Sequence, residues 1–269
     1  MNNRAAALYT ALALVYAFLY LPIVLLVIYS FNASRLVTVW GGFSTKWYGE
    51  LMHDHQVLDA AWLSIKIALM NATLATLLGT LAAVVLVRFQ RFPGRALFTG
   101  MVSAPLVMPE IITGLALLLL FVGMEHLIGW PDGRSMTTIV IAHVTFSLSF
   151  VTVVVRSRLS QMDRSLEEAA MDLGARPLTV FLRITLPIIA PSLVAGWLLA
   201  FTLSVDDVVI SAFVSGPGST PLPIVIFSKV RLGVSPEINA LATIVVALVG
   251  VAIAIAGRVM MRNERASGG

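Results

Sequence analysis

A chain of 269 residues that is 58% hydrophobic and only 12% charged is not an ordinary soluble domain, which is about 45–50% apolar and about 25% charged. Its mean hydropathy of +0.93 places it among integral membrane proteins. It has no cysteine, which excludes a disulfide framework and thiol chemistry, and its net charge of +4 sits in loops rather than in a basic domain able to hold nucleic acid.

The apolar residues fall in runs near the roughly 20 residues that a helix needs to cross a bilayer. They lack the every-second-residue alternation of a membrane barrel. The first run, 5–31, is longer than the about 7–15 residues of a signal-peptide core and is not closed by a small-x-small cleavage site, so it reads as a retained first helix. Pro22 inside it is tolerated, as in other membrane helices. The loop 32–59 is polar but carries Trp40, Phe43, Trp47 and Tyr48. These read as interfacial anchors or, on a sharper view, as contacts for an external partner.

A second helix is expected over 60–87, with Lys66 close enough to its outer end for the ammonium to reach the headgroups. The third spans 96–122 and contains Pro105, Pro109 and Glu110, and the fourth spans 136–155. A polar segment, 156–187, interrupts the apolar pattern. The fifth helix, 191–213, holds Asp206 and Asp207 and leads into a Gly/Pro-rich loop at 215–223. The sixth is 239–259, and a basic tail, 260–269, follows. The layout is thus a first helix (1–31), an outer loop (32–59), a five-helix core (60–259) and the tail. With both termini inside, the inner segments hold twelve of the eighteen Lys and Arg residues and the outer loops hold five. That bias predicts six membrane helices with both ends cytoplasmic.

The polar segment has internal order. Ser165 and Glu168 have the spacing of a capping box, with Asp163 as a competing cap. Leu166, Ala169, Ala170 and Leu173 repeat at helical spacing. Gly174 stands where a helix ends in the left-handed conformation, and Pro177 suits the first position of a second helix. Pro187 is expected to close the unit. The segment therefore reads as two short helices bent at Gly174, lying along the membrane. More than thirty residues is long for a mere connection.

Within it, Glu168-Ala169-Ala170, Gly174, Ile184, Leu186 and Pro187 match the EAA motif position by position, and the chain resembles the permeases of ATP-binding-cassette importers. VIYSFN at 27–32, SAPLVMPEIITG at 103–114, FTLSVDDVVISAFVSGPG at 201–218 and SPEINALAT at 235–243 extend the resemblance to polyamine-importer permeases. Those for putrescine are nearest, with those for spermidine close behind. The resemblance implies an all-α integral membrane protein of MetI-like fold in the bacterial inner membrane, whose 156–187 loop docks into an ATPase through the motif residues. It also implies a second, related permease, two cytoplasmic ATPase subunits, a periplasmic binding protein and a polyamine cargo. ATP and magnesium would belong to the ATPase subunits, leaving this chain without a cofactor and without catalysis of its own. Independently, the sequence has no G-x-x-x-x-G-K-[S/T] phosphate loop and no large outer domain to capture a substrate.

Carboxylates inside a bilayer cost about 2.5–3.5 kcal/mol on insertion scales and face a cavity or a partner by default. Asp206 and Asp207 are expected in the outer half of the membrane, about 22 Å along the helix from Pro191, and about 100° apart around it. Either they pass a cationic substrate, or one of them caps a broken helix or pairs with Lys66. Glu110, next to Pro109, is a second pathway candidate; an interhelical hydrogen bond is the blander reading. Ser204, Ser211 and Thr113 read as helix contacts, and Phe201 and Phe213 as packing. His53, His55, His126 and His143 show no metal-ligand spacing. Two rival functions stay open: the same machine with another cargo, such as an amino acid, a sugar or an oxyanion, and a membrane scaffold without transport.

Overall fold

A computed structural model describes residues 3–36, 39–89, 91–233, 236–247 and 250–251. The described chain is almost wholly helical and divides into two compact units, 1–58 with 226–269, and 59–225. Among the described residues five helices are long and apolar enough to cross a membrane: Leu8–Ser30, His55–Arg88, Glu110–Ile128, Met136–Gln161 and Pro177–Val205. Of the sixth expected helix the described part includes a shorter apolar helix, Pro236–Ala247. The tail with Arg262 and Arg265 lies outside the described residues.

In the first unit, α1 (Asn3–Ser30) exposes every side chain from residue 8 to residue 25. A helix that is apolar all round and covered by none of the described residues is suited to lipid or to a partner helix. The loop behind it is folded around Asn32, which is fully buried. Its side-chain oxygen accepts the Gly41 N–H at 2.8 Å and its amide donates to the Val39 carbonyl at 2.8 Å. Trp47, on the short α2 (Lys46–Leu51), is buried and donates its indole N–H to the Asn32 carbonyl at 2.6 Å. Trp47 is thus a strut of the loop and not an interfacial anchor; Trp40 and Phe43 do stay exposed. Lys229, on α11 (Leu222–Leu232), lies 2.5 Å from Asp54 and 3.5 Å from Glu237.

The second unit is built on close approaches that small residues allow. On α3 (His55–Arg88), Ala68, Ala72 and Ala75 are completely buried. On α6 (Met136–Gln161), Val151 lies so near Gly79 that a β-carbon there would sit 2.9 Å from it; at Gly196 the distance would be 3.3 Å. Asn71 joins three helices, donating to the Ser147 hydroxyl at 3.1 Å and to the Ala200 carbonyl at 2.8 Å.

Two expected helices are broken. The expected third helix, 96–122, is α4 (Arg95–Val107) and α5 (Glu110–Ile128). Pro109 disfavours the helical conformation of the residue before it, and Met108 is extended, with φ −77° and ψ 136°. The expected fifth helix, 191–213, is α9 (Leu186–Val205) and α10 (Val209–Val214), parted at the aspartate pair. α10 packs against α5. Phe213 fills the gap that Gly114 leaves, so a β-carbon at Gly114 would lie 2.7 Å from its ring.

Candidate functional site: a docking loop and two broken helices

The polar segment begins where α6 runs on to Gln161, six residues past its expected end. Asp163 takes the capping role, accepting the Ser165 N–H at 2.9 Å. That bond holds its carboxyl below the usual carboxylate range. The reciprocal box expected between Ser165 and Glu168 does not form, because Arg164 is the N-cap and makes no side-chain cap bond. α7 covers Ser165–Asp172. Its end is a Schellman turn: Ala175 N–H donates to Ala170 at 3.0 Å and Gly174 N–H to Met171 at 2.9 Å. Gly174 has φ +85°, in the region where only glycine is at ease.

Arg176 is extended and Pro177 opens α8 (Pro177–Val180). The second short helix is not closed at Pro187. It runs through a π-helical turn, Phe181–Thr185, straight into α9. Leu186 N–H reaches back to the Phe181 carbonyl, five residues earlier. A proline inside a regular helix lacks the N–H and crowds the carbonyl four residues back. The wider turn just before Pro187 makes room for the ring, so the helix continues. The second half of the loop is therefore the foot of a membrane span rather than a separate surface helix.

Of the motif residues, Glu168, Ala169, Gly174 and Pro187 are exposed, while Ala170, Ile184 and Leu186 are half-buried. Leu166, Met171, Leu173 and Leu178 are exposed too, Leu173 at 90%. An apolar helix face left open beside an exposed carboxylate is suited to a partner's groove. Glu167 turns the other way. One of its oxygens lies 2.5 Å from Arg88 at the end of α3 and accepts the Thr185 hydroxyl at 2.5 Å. Sequence reasoning missed Glu167, because the motif drew attention to its neighbour. At about 100° per residue the two cannot share a face, and that spacing was the available signal.

The second assembly is the α9–α10 break. Asp207 lies next to α10 and accepts the N–H groups of Ile210 at 3.2 Å and Ser211 at 2.7 Å. His143, buried on α6, is wedged beside it. Its Nε2 is 3.1 Å from Asp207 and 3.0 Å from the Ser211 hydroxyl, and its Nδ1 is 2.7 Å from the Ser204 hydroxyl. Asp207 is thus a brace across the break. Asp206 is exposed and has no side-chain partner among the described residues. Neither aspartate pairs with Lys66, whose ammonium sits 5.9 Å from the Trp62 ring centre.

The α4–α5 break presents Glu110 in the same manner. It opens α5, where a carboxylate is favoured by the helix dipole, and it is exposed. One turn on, the Thr113 hydroxyl is buried with no hydrogen-bond partner. His143 also escaped sequence reasoning, which looked among the histidines for metal spacing and for a serine-protease pair and not for a carboxylate on another helix. A buried ionisable residue in an apolar span calls for a named partner, and Asp207 was available. Among the described residues no group of His, Asp and Glu is arranged to hold a metal.

Comparison with known proteins gives four findings. Residues 75–265 match the model of the binding-protein-dependent transport system inner membrane component family. The chain is 60% identical over 269 residues to the putrescine transport system permease protein PotI of Escherichia coli K12, covering 98% of this chain and 96% of that protein. It is 44% identical over 250 residues to the spermidine/putrescine transport system permease protein PotC of the same organism, covering 93% of this chain and 92% of that one. In architecture it is similar to a chain of a bacterial alginate ABC transporter solved with an alginate pentasaccharide-bound periplasmic protein, with a TM-score of 0.67, 15% identity and coverage of 94% and 93%.

Proposed function

The chain belongs to the family of binding-protein-dependent transport system inner membrane components, and from that premise we propose that it is the permease subunit of an ATP-driven polyamine importer, with putrescine as cargo. The observation that carries this reading is the 60% identity, over almost the full length of both chains, to a putrescine permease. Exposed carboxylates at two helix breaks, Glu110 and Asp206, are the chemistry a dication requires.

In this reading six helices cross the inner membrane with both termini in the cytoplasm. A second, related permease completes the pathway, a periplasmic binding protein delivers the cargo, and two cytoplasmic ATPase subunits bind ATP and magnesium. The exposed face of α7, with Glu168 and Ala169, docks into an ATPase, together with the half-buried Ala170 and with Gly174 just past the helix end. Ile184, Leu186 and Pro187 lie where the loop becomes α9. Closure of the ATPases then shifts the population between inward- and outward-open states through their differential affinity for the two.

Asp206 lies at the far end of a 29-residue span from Pro177, about 43 Å at 1.5 Å per residue, and therefore toward the periplasm. Asp206 and Glu110 give the ammonium groups transient sites. Asp207 keeps the break rigid through His143. The permease itself performs no covalent chemistry.

The test is uptake of labelled putrescine by a bacterial strain deleted for its polyamine importers and supplied with this chain and its partner subunits. Uptake that requires this chain, and competition by excess spermidine, are expected. Normal uptake without it overturns the reading. The 44% identity to a spermidine/putrescine permease favours spermidine as a second cargo, which the same competition measures.

A further inference from the structure

We propose that the ends of α3 and α6 form a binding site for the phosphate of an anionic phospholipid headgroup. A cavity of about 470 Å³ opens there. Arg91, Arg95, Arg156 and Arg164 line it, drawn from the α3–α4 link, the start of α4, the last turns of α6 and the start of the docking loop. No carboxylate is among the described residues of its wall.

The arrangement is built rather than accidental. Arg164 spends one of its N–H groups on the Val87 carbonyl at 2.9 Å, and Arg95 donates to the Leu86 carbonyl at 3.2 Å. Both guanidiniums are thereby fixed to the last turn of α3. A guanidinium carries five donors in a planar fork that matches phosphate oxygens, so most of the donors of Arg164 remain for a ligand. Like charges gathered round one cavity repel one another. An anion between them removes that cost.

The phosphate comes from a lipid rather than from solution because the cavity lies at the ends of two membrane spans. Leu86 and Val87 on α3, and Leu159, Ser160 and Met162 at the end of α6, complete the lining. Both helices are long and apolar enough to span the bilayer, so the cavity opens at the headgroup level of the leaflet on the docking-loop side. Guanidiniums gathered at that level meet the phosphates of the leaflet. Basic pockets between membrane helices hold such lipids elsewhere. Because Arg164 is also the N-cap of α7, a bound headgroup steadies the start of the docking helix.

The experiment uses the full chain, in complex with its partner subunits, in nanodiscs of phosphatidylcholine with a tenth of phosphatidylglycerol. Lipid retained after extraction into mild detergent is counted by native mass spectrometry. Phosphatidylglycerol is expected to be retained roughly tenfold over its share of the mixture, and the double variant Arg91→Gln/Arg156→Gln to lose most of that preference. Arg91→Lys/Arg156→Lys keeps it, as does the distant charge control Arg35→Gln. Should the glutamine variant fail to fold, the wild type decides alone, since no preference for phosphatidylglycerol overturns the proposal. Equal retention by the folded glutamine variant also overturns it. So does displacement by 10 mM inorganic phosphate with no lipid retained, which marks a site for a soluble anion. Retained lipid with loss of the ATPase subunit overturns it as well, and assigns the arginines to an acidic protein face.

Discussion

Glu167 and Arg88 face each other at 2.5 Å, joining α7 to the end of α3, and the same carboxylate oxygen takes the Thr185 hydroxyl at the foot of α9. The pair is largely buried, with 14% and 18% of the side chains exposed, and Arg88 Nη1 is buried with no partner of its own. A push on α7 therefore reaches two membrane spans through one carboxylate. Glu168, its exposed neighbour, has no such link. The predicted outcome for Glu167→Gln is an assembled complex that still hydrolyses ATP but moves several-fold less putrescine per ATP in proteoliposomes. Loss of the charge-assisted bonds costs about 1–3 kcal/mol. An unchanged ratio of transport to hydrolysis would sink the idea. Glu168→Gln is expected to act earlier, weakening retention of the ATPase on affinity purification.

The aspartate pair divides by environment. Asp207→Ala leaves the N–H groups of Ile210 and Ser211 without their acceptor and takes the carboxylate from His143, for a predicted loss of about 2–4 kcal/mol, measurable as a lower unfolding midpoint in detergent. Asp206→Asn removes a charge that holds nothing in place, so the midpoint is predicted to stay where it is while putrescine uptake falls about tenfold. His143→Ala should resemble Asp207→Ala in stability. If Asp206→Asn unfolds the chain and Asp207→Ala does not, the roles are reversed.

The membrane class was legible because the apolar runs are long, and the end of α7 was legible because Gly174 and Pro177 each have one favoured place. What the sequence hid has physical causes. Pro109 read as tolerable inside a membrane helix, yet it sits where Met108 can turn extended and leave Glu110 at a fresh N-terminus. Pro187 read as a terminator, but the widened turn before it absorbs the ring. The α9–α10 break depends on Asp207 finding His143, sixty-four positions away, and no local pattern encodes that meeting. Glu167 was hidden because its partners, Arg88 and Thr185, lie on other elements.

Gly174 offers a clean backbone test. A β-carbon there would meet nothing within 4 Å, so Gly174→Ala costs only the left-handed conformation, about 1–2 kcal/mol. That penalty is local to the Schellman turn. Amide exchange at Gly174 and Ala175 is predicted to quicken roughly 5- to 30-fold, with the rest of the chain unchanged, and ATPase retention to weaken. Unaltered exchange would mean that the turn is held by the partner rather than by its own glycine.

The ion cluster of the first unit gives the pH prediction. Burial pushes Asp54 up, but its bonds to Lys229 and to the Val57 N–H outweigh that and hold its carboxyl below the usual range. Burial raises Glu237, and although Lys229 pulls it down, the neighbouring Asp54 carboxylate adds to the rise, leaving it above the usual range. Burial would lower Lys229, but the two carboxylates raise it. The depressed Asp54 contributes stability that is present above its unfolded value and lost as pH falls through the lowered one. The raised Glu237 contributes below its unfolded value and loses that contribution as pH rises through the elevated one. Asp54→Asn is therefore predicted to lower the unfolding midpoint at pH 7 and to do so progressively less as the pH falls into the acid range. Glu237→Gln is predicted to raise the midpoint at pH 7, an advantage that vanishes in acid. Lys229→Met leaves two carboxylates facing each other and should be the most damaging of the three at neutral pH. A Glu237→Gln chain that melts lower than the wild type at pH 7 would show that its contact with Lys229 outweighs the repulsion from Asp54.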